Sequence, residues 1–248
     1  MPFLERKKYA AVLVFPVRNE ALILERSIRL AHTVALKFLP SPWLIIIAVN
    51  DSTDETLPIA KRLADQLPNV VARVLSEPGK GRAVLQSWMS VQADYYFFSD
   101  IDLSVDLTKA LPLMMQAFVQ GADIATCSRA LAHSTVTRPL YRRLISLGYR
   151  WLARVMTDTR LSDLPCGCKG VNKDVVLQLV PQVLNKDWFF DTELLLLAEA
   201  ASYKISEVPV SWIEYKYSGR NSGIPLLKII KQYISALIAM RRRLKLRK

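Results

Sequence analysis

Four short apolar runs, each breaking off into a polar cluster, constrain this chain more than any other feature. They are Tyr9 to Phe15, Trp43 to Val49, Val70 to Leu75 and Tyr95 to Ser99, and Arg73 is the one charge among them. A strand with one wet face alternates apolar and polar residues, whereas a continuous apolar run marks a strand buried on both faces of a parallel sheet. Helical patterns separate the runs, so the chain reads as α/β, with a mostly parallel sheet and helices on both faces. In such sheets ligands bind beyond the carboxyl ends of the strands. The polar clusters fall there: Pro16-Val17-Arg18-Asn19-Glu20, then Asn50-Asp51-Ser52-Thr53-Asp54, then Glu77 to Ala83, and last Asp100-Ile101-Asp102.

The last cluster carries the most chemistry. Two carboxylates one residue apart reach the same exposed strand end, and hard oxygen ligands there suit Mg²⁺ or Mn²⁺ shared with nucleotide phosphates. Alone, a short acidic triplet is a common feature of solvated loops. Three further clusters on the same sheet edge turn the balance toward metal binding.

Pro16 to Glu20, Asn50 to Asp54, Gly79-Lys80-Gly81-Arg82 and Asp100-Ile101-Asp102-Leu103-Ser104 together resemble the family 2 glycosyltransferases. The similarity is to the branch that makes polyprenyl-phosphate sugars, the dolichyl-phosphate mannose synthases and glucosyltransferases. It continues through Cys127-Ser128-Arg129, Arg142-Arg143-Leu144-Ile145-Ser146, Asp163-Leu164-Pro165-Cys166-Gly167-Cys168-Lys169, and Trp188 to Leu195. The resemblance covers roughly residues 9 to 222. It implies one doubly wound GT-A domain, here residues 1–223, followed by an amphipathic helix with a basic tail, 224–248.

The resemblance also implies roles. Pro16, Arg18, Glu20 and Asp51 would bind the base and ribose of a nucleotide sugar, and Lys80 and Arg82 its base or phosphates. The flanking Gly79 and Gly81 would permit close backbone approach to that ligand. Asp102, with Asp100 beside it, would hold the divalent cation that neutralises charge on the departing diphosphate. Arg129, Arg142, Arg143 and Lys169 would hold the phosphate of a polyprenyl phosphate acceptor. Asp191 and Glu193 are candidate base or orienting carboxylates, and equally the acids expected at a helix N-terminus. The expected reaction is inverting transfer of a hexose, glucose from a uridine diphosphate donor. Guanosine-linked mannose as donor, or a saccharide hydroxyl as acceptor, remain the alternatives.

Composition bounds this reading. The 248 residues, 51% hydrophobic, suffice for one large domain. Three cysteines, two of them a residue apart, point to a reducing compartment and packing roles rather than disulfides or zinc. The net charge of +12 concentrates between Arg138 and Arg154 and in the last eight residues. No nucleic-acid motif accompanies it, so a membrane surface is the expected anionic partner; a basic module that docks without catalysis is the non-enzyme alternative. Ile224 to Met240 shows an apolar stripe, with Leu227, Ile230, Ile234, Leu237 and Ile238, and a polar one with Lys228, Lys231, Gln232 and Ser235. Periodicity does not distinguish an interfacial helix from one packed on the domain. No stretch approaches the length of a spanning helix and Met1 to Lys8 lacks a signal peptide, so a cytoplasmic enzyme touching the membrane is expected, with or without an anchoring subunit.

Overall fold

The computed structural model describes residues 8–213 and 226–245. The expected boundary at 223/224 and the tail residues Arg247 and Lys248 lie outside them, as do the side chains of Leu227 and Lys228. The chain opens with β1 (Lys8–Val17), α1 (Ala21–Phe38), β2 (Trp43–Asn50), α2 (Thr56–Gln66), β3 (Val70–Leu75), α3 (Lys80–Met89) and β4 (Gln92–Ser99). It continues through α4 (Leu107–Val119), β5 (Ile124–Ser128), β6 (Thr135–Thr137), α5 (Leu140–Thr157), β7 (Cys168–Asn172) and α6 (Lys173–Gln178). The last elements are α7 (Phe190–Ala200), β8 (Ile205–Pro209), β9 (Ser211–Ile213) and α8 (Leu226–Lys245).

Seven strands form one sheet in the order β3-β2-β1-β4-β7-β5-β8. All neighbours are parallel except β7, which runs antiparallel between β4 and β5. The period-two geometry of a strand explains why continuous apolar runs were needed. Val12 and Val14 face a core built with α3, α6, α7 and α8, while Leu13 and Phe15 face a second core with α1, α2 and α4. Both faces are dry, as the sequence implies for a doubly wound sheet.

This topology gathers one edge. The carboxyl ends of β1, β2, β3, β4 and β5 lie there, and because β7 is reversed its amino end joins them: Ser99 pairs with Cys168, and the Asp100 N–H donates to Gly167 O at 2.9 Å. Residues on either side of the β5–β7 excursion therefore reach the same edge as the Asp100-Ile101-Asp102 turn.

Candidate active site

The first two motifs interlock. Arg18 Nη2 donates to Asp51 Oδ2 at 2.7 Å, and Asn19 Oδ1 accepts the Thr53 N–H at 2.8 Å. Asn19 and Asp51 both take left-handed backbone, φ 54° and 50°, a region that asparagine and aspartate tolerate better than most residues. Several polar residues of the second motif serve the fold rather than a ligand. Asp54 Oδ2 accepts the Ala21 N–H and Thr56 Oγ1 accepts the Glu20 N–H, so they cap α1 from across the edge. Pro16 is half-buried and Glu20 buried, while Arg18 and Asp51 stand open to solvent.

The glycines of the third motif face the protein's own chain. A Cβ on Gly79 would lie 2.5 Å from Lys186 O, and one on Gly81 2.5 Å from Phe190 Cβ. Their absence lets the first turn of α3 lie against residues 186–190, with the Arg82 N–H donating to Lys186 O at 2.8 Å. That contact places the Trp188 ring 4.8 Å from Lys80 Nζ. Lys80 reaches inward to Asp100, Nζ to Oδ1 2.5 Å. Burial opposes charge on Lys80, yet Asp100 and Asp191 hold its ammonium above the usual lysine range. Burial pushes the Asp100 carboxyl up, against the pull of Lys80. Arg82 turns to Glu77 Oε2 at 2.9 Å and to Pro78 O.

Asp102 Oδ1 accepts the Ser104 N–H at 3.0 Å, and from Asp102 a cleft of about 390 Å³ runs past Arg26 and Lys109 to Trp212. Asp100 and Asp102 supply two hard carboxylates at one strand end, and among the described residues no third acidic, histidine or cysteine side chain completes a cluster. Two carboxylates, with phosphates and water filling the remaining positions, is a donor set that fits Mg²⁺ or Mn²⁺.

The acceptor-side cations are not the free anion cradle that the resemblance implied. Lys169 is 0% exposed, 2.8 Å from Asp191 Oδ2, and also donates to Cys166 O at 2.5 Å. Strand position explains this: Lys169 lies opposite Phe98 in the middle of the sheet, so its side chain enters the core between α7 and β4. Arg129 is similarly engaged, Nε and Nη2 gripping both Asp163 oxygens at 2.7 and 2.8 Å, with its guanidinium 4.7 Å from the Trp212 ring. Burial would raise the Asp163 carboxyl, but the Arg129 charge wins and holds it below the usual carboxylate range. Arg142 and Arg143 stand exposed on the first turn of α5.

The carboxylates of α7 are also committed. Asp191 accepts from Lys169 on one oxygen and from the Thr192 N–H, 2.7 Å, on the other. Glu193 accepts the N–H groups of Leu184 and Asn185 at 3.0 and 2.8 Å, and meets Arg243 of α8 at 2.5 Å. Arg243 belongs to the expected basic tail and pins α8 to the domain. The three cysteines are buried, Cys127 and Cys168 each 3.9 Å from Met114 Sδ, and burial pushes the Cys166 thiol up to about 12.

Four residues close to the reacting edge escaped sequence reasoning: Asp163, Trp188, Tyr149 and Tyr233. Asp163 is the carboxylate that a largely enclosed Arg129 demands, a need visible only once that arginine is seen to be enclosed. The other three are aromatics whose role depends on α5 and α8 meeting α7, which no local pattern encodes. Tyr149 OH donates to Thr192 Oγ1 at 3.5 Å, and Tyr233 OH to Trp188 O at 2.9 Å.

Comparison with known proteins agrees with this arrangement. Residues 12–179 match the profile described as Glycosyl transferase family 2. The chain is 30% identical over 203 residues to glycosyltransferase AglD of Haloferax volcanii, spanning 81% of this chain but 32% of AglD. It is 25% identical over 245 residues to the dolichyl-phosphate beta-glucosyltransferase of Saccharomyces cerevisiae, covering 90% of this chain and 72% of the yeast protein. In fold it is similar to glucosyl-3-phosphoglycerate synthase of Mycobacterium tuberculosis, solved with Mn²⁺, uridine-diphosphate-glucose and phosphoglyceric acid. That TM-score is 0.70 at 16% identity, over 94% of this chain and 79% of the other, and it shows the GT-A fold alone.

Proposed function

Because the chain belongs to glycosyl transferase family 2, we propose that it moves a hexose, glucose from uridine diphosphate glucose, onto a polyprenyl phosphate, inverting the anomeric centre. The yeast relative's name supports glucose as the sugar and a lipid phosphate as the acceptor. The observation that carries the acceptor reading is the state of Asp191. Both its oxygens are engaged, one by an ammonium at 2.8 Å, so it is poorly placed to take a proton from a hydroxyl. A phosphate acceptor, whose second ionisation lies near pKa 6, needs no such help. Asp191 is then an orienting residue that holds Lys169 and the start of α7 in place.

In the reaction, an oxygen of the acceptor phosphate forms the new bond from one face of the anomeric carbon. The bond to the diphosphate breaks on the other face, and its electron pair leaves with the nucleoside diphosphate. Pro16, Arg18, Glu20 and Asp51 hold base and ribose. Lys80, 2.5 Å from Asp100, meets a second anion when a diphosphate binds and shares its charge with it. A divalent cation held by Asp102 and Asp100 would supply neutralisation of the leaving diphosphate. Arg142 and Arg143, exposed on the first turn of α5, meet the acceptor phosphate. A polyprenyl phosphate carries its charged phosphate at the membrane surface, and the acceptor is met there; among the described residues no helix is long and apolar enough to cross a membrane. We place that surface on the cytoplasmic side, with or without a separate anchoring subunit.

The test supplies radiolabelled uridine diphosphate glucose with either polyprenyl phosphate or the free polyprenol. Transfer to the phosphate alone is expected, and Arg143→Gln should cost roughly tenfold to a hundredfold in kcat/KM through the acceptor KM. Equal transfer to both lipids, or to a soluble sugar alone, would overturn the assignment.

A further inference from the structure

We propose that Lys80 is a resident cation for Asp100, one that makes capture of a divalent ion conditional on the arrival of a nucleotide diphosphate. The carboxylate is fixed in place for such a role. A Cβ on Gly167 would lie 2.0 Å from Asp100 Oδ2, so that oxygen packs on bare backbone, and the Asp100 N–H donates to Gly167 O at 2.9 Å. The other oxygen, Oδ1, meets Lys80 Nζ at 2.5 Å, with 13% of the lysine and 31% of the aspartate side chain exposed. Asp102 and Asp191 add negative charge around the same ammonium. Lys80 therefore sits where the strand-end carboxylates draw a positive charge. A divalent ion that takes Asp100 must first part it from the lysine.

Two features let the lysine yield. Lys80 is the first residue of α3, so its head can move on a four-carbon stem while the helix stays packed. The Trp188 ring lies 4.8 Å from Nζ and the Phe98 ring 5.7 Å, aromatic faces that attract a cation more weakly than a carboxylate does. Tyr233 OH donates to Trp188 O at 2.9 Å and ties that residue to α8. The ammonium thus has a second rest beside it, but leaving a short, largely enclosed ion pair for an aromatic contact is uphill. An Asp100 that is paired most of the time lowers the apparent affinity for an ion by the fraction of time it is free. A diphosphate changes the balance, because it brings the lysine a new anion.

By linkage the effect is reciprocal: nucleotide and ion each raise affinity for the other by the same factor. The rival account is that Lys80 merely orients Asp100 toward the ion. It predicts the opposite sign, since removing an orienting lysine would weaken ion binding. The inference rests on the metal role given above to Asp100 and Asp102, and adds the order in which that site fills.

The experiment titrates Mn²⁺ into the full chain with and without uridine diphosphate, read by electron paramagnetic resonance of the free ion and by calorimetry. Lys80→Met should bind Mn²⁺ alone about tenfold or more tighter than wild type, while its sugar transfer falls. Lys80→Gln should move the same way, and the melting temperature of each variant checks that the fold is kept. Lys80→Arg should keep Mn²⁺ binding weak, because it keeps the cation. Arg82→Gln removes an equal charge two residues away that faces Glu77 instead, and should shift Mn²⁺ affinity by less than about twofold. Adding Asp102→Asn to Lys80→Met should cancel the gain, which locates it at the strand-end pair. The factor by which uridine diphosphate tightens Mn²⁺ binding should be about tenfold smaller in Lys80→Met than in wild type. Binding of Mn²⁺ by Lys80→Met no tighter than by wild type would overturn the proposal, and so would an equal gain in Arg82→Gln. A chain that captures Mn²⁺ in this conditional way yet transfers no sugar to polyprenyl phosphate would sink the reaction reading and leave the role of Lys80 standing.

Discussion

On the side proposed for the donor, Arg18 and Asp51 meet at 2.7 Å with 56% and 47% of their side chains exposed; on the side proposed for the acceptor, Lys169 and Asp191 meet at 2.8 Å with 0% and 4% exposed. The distances nearly match, and the physics differs. Water and salt screen the first pair, so it contributes about 0–1 kcal/mol and either partner can turn to a ligand at little cost. The second pair has left water behind, and removing one partner strands the other in a medium that cannot solvate it. Arg129 and Asp163 repeat the second pattern. The Arg18–Asp51 pair is thus open to a ligand, whereas Lys169–Asp191 and Arg129–Asp163 form a frame whose charges already satisfy one another.

The comparison is most easily broken at Arg129. Arg129→Gln should destabilise the fold by about 3–5 kcal/mol, read by urea denaturation, because it leaves Asp163 buried and unpaired. Its pH dependence follows from the lowered Asp163 pKa. A depressed folded value stabilises fully above the ordinary carboxylate value of about 3.9, and that contribution is lost as pH falls through the folded value. The melting-temperature gap between wild type and Arg129→Gln should therefore stay constant near neutrality and narrow below about pH 4. A gap that widened in acid would contradict the pairing.

Asp102→Asn should lower turnover by about a hundred- to a thousandfold while leaving the melting temperature unmoved, since it removes a charged ligand and keeps the shape. Substantial activity at limiting Mg²⁺ or Mn²⁺ would remove Asp102 from the metal site. Gly167→Ala tests how finely Asp100 is placed. A Cβ there would stand 2.0 Å from Asp100 Oδ2, so the carboxylate must move, and transfer should drop by about ten- to a hundredfold. The smallest effect belongs to Arg18→Gln, which should change stability by less than about 1 kcal/mol while raising the donor KM. A destabilisation as large as that of Arg129→Gln would erase the distinction between the two sides.

The sequence announced the donor edge well because its logic is local. Each apolar run and the cluster behind it are continuous in the chain, so Pro16, Asp51, Lys80 and Asp100 could be placed on one edge by strand direction alone. The acceptor edge resisted because its logic is pairwise and distant. Lys169 looks like a motif lysine beside a turn; only the reversal of β7, which apolar runs do not signal, turns it inward to Asp191. The glycines around Lys80 looked like ligand-facing residues and prove to face Lys186 and Phe190, a contact between segments far apart in sequence. Arg142 and Arg143 were placed correctly on a helix, but their apolar neighbours belong to a face that only the packing of Tyr149 and Leu152 reveals.

The reversal of β7 has one more consequence. Strand β5 leaves the sheet at the active edge and β7 re-enters it at the same edge, with Thr126 opposite Lys169. Everything from Arg129 to Gly167 is therefore a closed excursion whose two ends are already neighbours. Such a segment can lengthen or shorten without shifting the register of any pair in the seven-stranded sheet, and the entropy of closing it grows only with the logarithm of its length. A change of length between Arg129 and Gly167 thus leaves the strands that end at Asn50, Leu75 and Ser99 where they are, one detour hung on a constant frame.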